Sequence, residues 1–435
     1  MTRKLWLLGA ALSLVPLATA AQAQEDPKAT APVQRLYAQQ LVDKARAADP
    51  EVKGLAIVAT PTDAKDNMVI ASTFGTKGAA ATADDLAAIS GKTVVSMKAK
   101  THEAVVRVPL LDLSHRIVGD LQVVLPAGKA SSQAALEAHA TKIRDDLARH
   151  ISHIKNLNEQ ASMDGKTPTD TYIQHLVDQE LAAHPNVVII GIHATPPGYS
   201  QNVIVASNIG RIGKAADDDD MHVVTSGETK TEPDPANGRY EVEEQLKDVG
   251  GDVVGAIGVV YNYKDGDDTA PLKTEADAIA AHLARRISHA GNMMDPWPYN
   301  AAYNPPLSVG QKLLDDAMVK HPDVIIMAMH ITPPRTTKNV IISSNIGRIG
   351  KAADEDDARV IEKGSTNLEV NETGKRFEAE VPQNDAAGHR IGAIGIVFNY
   401  KAGDDKEALH KHALEIRDEI AAQTPSAAAL TAPAQ

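Results

Sequence analysis

The stretch N-V-I-V-A-S-N-I-G-R-I-G-K-A-A-D-D-D-D occupies residues 202–220, and N-V-I-I-S-S-N-I-G-R-I-G-K-A-A-D-E-D-D occupies residues 339–357. Sixteen of these nineteen positions are identical, and the two stretches lie 137 residues apart. The same offset relates His193 to His330. A constant offset without insertions indicates two copies of one folded unit of about 120 residues.

A third, diverged copy lies upstream, where V-I-A-S at residues 69–72 aligns with residues 204–207. In this copy the polar residues of the repeat are replaced: Val58 stands for His193, Thr73 for Asn208, Thr76 for Arg211 and Ala79 for Lys214. Two explanations stay open. The charged groups serve something other than folding, or the first copy drifted at exposed positions.

The repeats and the intervening polar linkers divide the chain into segments. The prediction is a signal peptide at 1–23, a diverged unit 1 at 34–158, unit 2 at 169–290, unit 3 at 306–423, and a disordered Ala/Pro-rich tail at 424–435. About 400 mature residues agree with three domains of ordinary size.

The first residues predict export. Arg3 and Lys4 precede an apolar run at 5–20, and the small residues at 21–23 form an A-x-A cleavage site. No later stretch approaches the roughly 20 apolar residues of a membrane helix. The chain has no cysteine, which excludes disulfides and thiolate metal sites. We therefore expect a soluble protein of a bacterial periplasm.

Charge and composition exclude several partner classes. The formal net charge is −13, from 57 acidic and 44 basic residues, so the chain lacks the basic face that nucleic acid requires. The same charge disfavours anionic lipid. Aromatic residues make up 3%, which argues against an aromatic-walled sugar or RNA groove.

Periodicity predicts one order of elements for each unit, described here for unit 2. The order is a helix at 172–183, strands at 187–193 and 202–207, a short helix at 215–224, strands at 239–245 and 253–261, and a helix at 274–288. Strands joined by tight turns form an antiparallel sheet. The predicted fold class is therefore α+β, with three tandem units that each have a sheet flanked by helices.

This element order resembles that of PAS, GAF and Cache sensor domains, particularly the periplasmic Cache type. The strand V-G-A-I-G-V at 254–259, followed by a helix, is also similar to the haem-degrading family related to glycolate-utilisation proteins. The first resemblance implies ligand sensing and the second implies haem chemistry. No ligand motif of either family can be matched here, so neither resemblance assigns a site residue, and the cofactor stays unknown.

The repeated loop predicts a site for a small anion. It leaves a strand and enters a helix, where backbone N–H groups attract anions and Arg offers a planar fork for a carboxylate or phosphate. The alternative is a tight loop whose cations pair with the acids that follow. The predicted ligand-binding residues of this loop are Asn208, Arg211 and Lys214 in unit 2 and Asn345, Arg348 and Lys351 in unit 3.

The acidic runs at 217–220 and 354–357 allow two interpretations. Acids in the first turn of a helix complement its dipole, whereas four in a row repel one another unless a cation offsets them. The D-x-D-x-D-G pattern of an EF-hand is absent. The candidate metal ligands are Asp217, Asp219, Asp220, Asp354, Asp356 and Asp357.

His193 and His330 end the first strand of their units, near the loop that carries Arg and Lys. A histidine there can bind a ligand or act as a base. The alternative is a satisfied, half-buried histidine. Because Val58 replaces it in unit 1, we expect the side chain to face inward.

Three functional hypotheses follow. The first is a soluble periplasmic sensor whose units 2 and 3 bind a small anion and whose signal passes to a separate membrane or signalling protein. The second is a periplasmic enzyme or haem-active protein that uses His193, Arg211 and Lys214 with their unit 3 equivalents. The third is a tandem scaffold without a ligand, in which the repeated loop contacts a partner.

Overall fold

The computed structural model describes residues 35–98, 100–128, 131–303, 307–334 and 336–434. The predicted signal peptide lies outside these residues. Within them, no helix is both long and apolar enough to cross a membrane.

The three units share one order of helices and strands. Unit 1 contains α1 (Tyr37–Ala48), β1 (Gly54–Ala59), β2 (Met68–Ser72), α2 (Ala83–Ile89), β3 (Val94–Lys98), β4 (Glu103–Leu111), β5 (Ile117–Pro126) and α3 (Gln133–Ala148). Unit 2 contains α4 (Tyr172–Ala183), β6 (Val187–Ala194), β7 (Val203–Ser207), α5 (Asp218–Ser226), β8 (Lys230–Asp234), β9 (Arg239–Lys247), β10 (Val253–Asn262) and α6 (Ala270–Ala284), followed by α7 (Ala290–Met293). Unit 3 contains α8 (Val309–Lys320), β11 (Val324–Ile331), β12 (Val340–Ser344), α9 (Glu355–Lys363), β13 (Asn367–Val370), β14 (Arg376–Asn384), β15 (Arg390–Asn399) and α10 (Lys406–Ala422), followed by α11 (Ala427–Leu430).

Each unit folds around one five-stranded antiparallel sheet. The spatial orders are β2-β1-β5-β4-β3, β7-β6-β10-β9-β8 and β12-β11-β15-β14-β13, so the first and last strands of every unit are neighbours in the middle. Helices flank each sheet, which confirms the predicted α+β class. The first strand therefore lies inside the sheet, where its β-branched residues are buried.

Two local predictions were wrong. Four strands per unit were expected, and the structure has a fifth, β8 in unit 2, at the sheet edge. The sequence of β8, K-T-E-P-D, is polar because an edge strand faces solvent, and it therefore shows no apolar alternation. The short helix α5 begins at Asp218 and not at Ala215, because Asp217 is its N-cap.

Alternation along β6 separates two faces of the sheet. Ile190 and Ile192 point into the hydrophobic core with residues of α4 and α6. His193, one residue further, points to the opposite face, where it approaches Asp220 of α5. The pleat therefore places polar groups from the strands beneath the short helix, away from the core.

The tail was expected to be disordered, and this was wrong for residues 424–434. Residues 427–430 form α11, and Leu430 is fully buried in the core of unit 3. The backbone N–H of Val309 donates to the carbonyl of Ala432 at 2.9 Å. Composition favoured disorder, but one apolar side chain and backbone pairing to the start of α8 order the segment.

Candidate functional site

The repeated loop contacts the unit that precedes it. The Asn208 side chain is buried, and its Oδ1 accepts from the backbone N–H of Ile190 at 2.9 Å. Its Nδ2 donates to the carbonyls of Arg149 at 2.7 Å and Val188 at 3.0 Å. Because Arg149 ends α3 of unit 1, Asn208 joins unit 2 to unit 1 and has no polar atom left for a ligand.

The backbone of the loop is held in the same way. Tyr37 of α1 donates its hydroxyl to the carbonyl of Asn208 at 2.9 Å, and Asn156 donates to the carbonyl of Ile209 at 2.9 Å. Gly210 has φ +73°, and a Cβ at this position would lie 2.8 Å from the Tyr37 ring. This glycine is therefore required both by a left-handed conformation and by contact with unit 1.

Unit 3 repeats these contacts with unit 2. Asn345 donates to the carbonyl of Arg285 at 2.8 Å, and Asn292 donates to the carbonyl of Ile346 at 3.1 Å. A Cβ on Gly347 would lie 2.7 Å from the ring of Tyr172. The two boundaries between units thus use equivalent groups.

The predicted anion-binding arginines face carboxylates of the preceding linker. Arg348 Nε donates to Asp295 Oδ2 at 2.7 Å, whereas Arg211 Nε lies 3.9 Å from Glu159 Oε2. The histidines do not lie beside these arginines. His193 is beneath α5, next to Asp220, and His330 is next to Asp357 of α9. The predicted set of Asn, Arg, Lys and His is therefore divided between two places.

The distribution of these residues follows the unit boundaries. The loop set occurs in units 2 and 3, which have a preceding unit in this chain, and is replaced in unit 1. The residues that contact the loop belong to units 1 and 2 and to the linkers that follow them. At the equivalent positions of unit 3 and its tail these residues are replaced. Tyr37 and Tyr172 align with Val309, Asn156 and Asn292 align with Ala429, and Glu159 and Asp295 align with Ala432.

Clefts also lie at these boundaries. Between units 1 and 2 a cavity of about 510 Å³ is lined by residues that include Tyr37, Lys44, Leu147, His150 and Gln174. The equivalent cleft between units 2 and 3 is smaller, about 360 Å³, and is lined by the stacked rings of His175 and Trp297, whose centroids are 3.8 Å apart.

A second cluster lies beneath α5 in unit 2. His193 Nε2 is 3.6 Å from Asp220 Oδ1, and Asp220 also receives the backbone N–H of Asp217 in the capping box of the helix. Glu243 of β9 is buried and interacts with Asp220. On β10, Gly258 pairs with Glu243, and a Cβ at this glycine would lie 2.8 Å from Glu241 Oε1. The cap of α5 therefore positions a carboxylate between a histidine and a glutamate.

Unit 3 contains the same cluster. His330 Nε2 lies 3.4 Å from Asp357 Oδ1, and the His330 side chain is 9% exposed. Glu380 is 4% exposed. No described residue hydrogen-bonds to His330 Nδ1 or Glu380 Oε1, and the equivalent His193 Nδ1 and Glu243 Oε1 also lack a partner. Buried polar atoms without partners are uncommon, and this pair recurs at equivalent positions.

Burial sets the protonation of the cluster. Burial, followed by the charge of Asp220, raises the pKa of Glu243 to about 8. Burial and a hydrogen bond with Asp357 raise the pKa of Glu380 to about 9. Burial lowers the pKa of His330, against the opposing effect of Asp357. Burial therefore favours the neutral imidazole of each histidine and the protonated carboxyl group of each glutamate.

The candidate metal ligands of the acidic runs have protein partners. Asp217 and Asp354 cap α5 and α9, and Asp219 accepts from Lys230 at 2.7 Å. Asp356 pairs with Arg359. Among the described residues, no three of the six predicted carboxylates bring ligand atoms within 4.8 Å of one another. The geometry gives these acids roles in capping and ion pairing.

Unit 1 fills the equivalent space with its own cation. Asp85, aligned with Asp220, accepts from Arg107 Nε at 2.6 Å and from Gln122 Nε2 at 2.8 Å. Arg107 occupies the position of Glu243, and Gln122 occupies that of Gly258. Asp85 is thus bonded by side chains of unit 1, whereas Arg107 Nη1 and both carboxyl oxygens of Asp120 beside it have no hydrogen-bond partner.

Sequence reasoning found the histidines but missed Glu243 and Glu380. The signal was present in the alternation R-Y-E-V-E-E at 239–244, which places Glu241 and Glu243 on one face of the strand. Such alternation predicts a half-buried strand whose polar face is exposed to solvent, and the structure instead covers this face with α5.

No protein-family model matches the sequence, and no curated protein matches it. Solved structures with partial similarity include a type II free methionine-R-sulfoxide reductase from Thermoplasma acidophilum, at 15% identity over 25% of this chain and 86% of that chain, with a TM-score of 0.20. They also include the nlh2 GAF domain of A. aeolicus, at 18% identity over 25% of this chain and 76% of that chain, with a TM-score of 0.20. PelD from Pseudomonas aeruginosa PA14, in complex with c-di-GMP, has 13% identity over 58% of this chain and 77% of that chain, with a TM-score of 0.21. At these scores function must be argued from the residues themselves.

Proposed function

We propose that the protein is a tandem ligand-binding protein of the sensor type. Units 2 and 3 each bind a small molecule that carries hydrogen-bond donors or a positive charge. The binding groups are His193, Asp220 and Glu243 in unit 2, with His330, Asp357 and Glu380 in unit 3. The observation that carries the proposal is the recurrence of unpartnered, buried polar atoms at equivalent positions of both units.

The unpartnered atoms favour a ligand that donates hydrogen bonds. Asp357 lies beside Nε2 of His330, which favours the tautomer with the proton on Nε2 and leaves Nδ1 as an acceptor. Glu380 Oε1 has no partner and is a second acceptor while the Glu380 carboxyl group donates its proton to Asp357 from the other oxygen. An ammonium or guanidinium group supplies donors to both acceptors and offsets the negative charge.

Unit 1 supports this ligand class. The Arg107 guanidinium contacts the carboxylate of Asp85, where units 2 and 3 have Glu243 and Glu380. An exogenous cation in units 2 and 3 would occupy the place that Arg107 takes in unit 1. The anionic ligand expected from Arg211 and Arg348 is less well supported, since Arg348 already pairs with Asp295.

The proposed location is the periplasm, because residues 1–23 have the features of a secretory signal peptide. A separate membrane or signalling protein would receive the signal in this proposal. Both parts rest on the sequence and are independent of the ligand class.

The test combines native mass spectrometry with a thermal-shift panel. Protein purified from a periplasm is weighed for small adducts, and stripped protein is then screened against alkylamines and guanidines, with matched carboxylates as controls. We expect up to two adducts per chain and stabilisation by the amines. Stabilisation by carboxylates alone would overturn the proposed ligand class.

A variant that copies unit 1 sharpens the test. Glu243→Arg with Glu380→Arg places a guanidinium where unit 1 has Arg107 and should remove both adducts. Glu372→Arg, in the exposed turn between β13 and β14, adds the same charge outside the cluster and should leave binding unchanged. Equal binding by the double variant and the wild type would contradict the proposed site.

A further inference from the structure

A third side-chain cluster lies on unit 3, away from both the repeated loop and the α9 cluster. It combines His321 at the end of α8, Asp323 immediately before β11, and His412 of α10. Among the described residues, these three bring one ligand atom each within 4.8 Å of one another. His321 is 11% exposed, His412 31% and Asp323 57%, so the cluster opens to solvent on one side.

We propose that His321, Asp323 and His412 bind a divalent transition metal, of the class to which Zn²⁺ belongs. Two imidazoles and one carboxylate are the donor set that such ions accept, with water in the fourth position. His412 Nε2 lies 3.3 Å from Asp323 Oδ2. A tetrahedral ion with ligands at 2.0–2.2 Å requires ligand atoms about 3.4 Å apart, so this pair is already spaced for coordination.

A carboxylate lies beside one nitrogen of each imidazole. His321 Nε2 is 3.0 Å from Glu419 Oε2, which also accepts from Lys320 and leaves Nδ1 as the free nitrogen of His321. His412 Nδ1 lies 3.6 Å from Glu415 Oε2, which leaves Nε2 directed at Asp323. Metal-binding histidines usually have such a partner, because it fixes the ring orientation and the tautomer.

The other two units show that this donor set belongs to unit 3 alone. The equivalent positions in unit 2 are His184, Asn186 and Glu275, where Glu275 accepts from Asn186 and lies 2.8 Å from His184. The equivalent positions in unit 1 are Asp49, Glu51 and His139. Units 1 and 2 each have one imidazole at this place, and unit 3 has two.

A bound metal would join three elements of unit 3. Its ligands come from the end of α8, the start of β11 and the middle of α10, so binding would fix the helices against the sheet. Because metal binds the folded arrangement of ligands, it should stabilise the protein. This role is independent of the ligand proposed for the α5 and α9 clusters.

The experiment titrates tag-free mature protein with Zn²⁺ by calorimetry and with Co²⁺ by visible absorption. We expect one strong site per chain and intense d–d bands from a four-coordinate cobalt ion with nitrogen ligands. Wild-type protein that binds neither ion at micromolar concentration would overturn the proposal.

The unit 2 sequence supplies a variant that keeps the fold. Asp323→Asn with His412→Glu recreates His184, Asn186 and Glu275 on the equivalent backbone, and should weaken Zn²⁺ binding at least tenfold. His139→Gln, at the equivalent place in unit 1, is the matched control and should bind like the wild type. Unchanged Zn²⁺ affinity in the double variant, or loss of Zn²⁺ binding in the control, would show that the metal does not bind at this cluster.

Discussion

Arg348 Nε lies 2.7 Å from Asp295 Oδ2, and this pair joins unit 3 to the linker that follows unit 2. At the preceding boundary Arg211 Nε lies 3.9 Å from Glu159 Oε2. The residues with the strongest sequence signal for a ligand are therefore contacts between units. The unpartnered buried atoms of His193, Glu243, His330 and Glu380 lie elsewhere, beneath α5 and α9.

Arg348→Ala should destabilise the protein more than Arg211→Ala. The Arg348 pair is a half-buried, charge-assisted hydrogen bond, and its loss should cost about 1–3 kcal/mol. The Arg211 pair is longer, and we expect a loss of less than about 1 kcal/mol. Chemical denaturation measures both values, and a double-mutant cycle with Asp295→Ala isolates the pair. Equal effects of the two substitutions would contradict the difference in geometry.

Gly347→Ala should be costly, and Gly374→Ala is its control. Their φ values are +75° and +72°. Alanine in this left-handed conformation should therefore lower the free energy of unfolding by about 1–2 kcal/mol at either position. A Cβ on Gly347 would lie 2.7 Å from Tyr172, whereas nothing lies within 4 Å at Gly374. Overpacking should add about 1–3 kcal/mol at Gly347 only. Thermal unfolding of both variants measures the difference in stability. Similar losses would mean that the contact between Gly347 and Tyr172 adjusts to a methyl group at little cost.

Glu380→Gln should flatten the pH dependence of stability. The folded state holds a proton with a pKa of about 9, whereas the ordinary value is 4.5. Between these values the unfolded chain binds fewer protons, so the free energy of unfolding falls as pH rises. Glutamine cannot ionise, so the variant should exceed the wild type at pH 9 by about 1–3 kcal/mol and lose this advantage near pH 5. Thermal scans across this pH range measure the effect. Parallel profiles of stability against pH for the variant and the wild type would contradict a raised pKa of Glu380 in the folded state.

Leu430→Ala tests the packing of the tail. Leu430 is fully buried against unit 3, and its truncation should cost about 2–5 kcal/mol. Leu368→Ala makes the same change on the edge strand β13, where the side chain is 46% exposed, and should cost less than about 0.5 kcal/mol. The two values come from denaturant titration. A small effect at Leu430 would show that the tail does not pack stably in solution.

The sequence predicted the architecture well where periodicity was clear. The helix at 172–183 matches α4, and the β-branched run at 187–193 falls within β6. Gly227 follows the predicted short helix and ends α5 in a left-handed conformation, which glycine adopts without strain. The polar edge strand β8 and the ordered tail escaped prediction, because their stability comes from neighbours in space and not from local pattern.

The site was predicted only in part. His193 and His330 lie beneath α5 and α9, on the face opposite the hydrophobic core, and their neighbours Glu243 and Glu380 lie 50 residues further along the chain. Asn208 and Asn345 looked like ligand donors because they stand beside Arg and Gly. Each donates one hydrogen bond to a carbonyl at the end of the preceding unit, and its other hydrogen bonds are to the backbone of its own unit. Local spacing cannot show such contacts.

By itself the sequence determined the repeat, the sheet-forming strands and the helix ends, because these depend on hydrophobic period, glycine and capping residues close along the chain. The tertiary structure decided which polar residues remain without partners. Asn345 and His330 are only 15 residues apart, yet Asn345 is hydrogen-bonded by Arg285 of unit 2 and by two backbone groups of its own unit, whereas His330 keeps a free Nδ1. Hydrogen bonding acts over about 3 Å in space, and only the folded chain sets those distances.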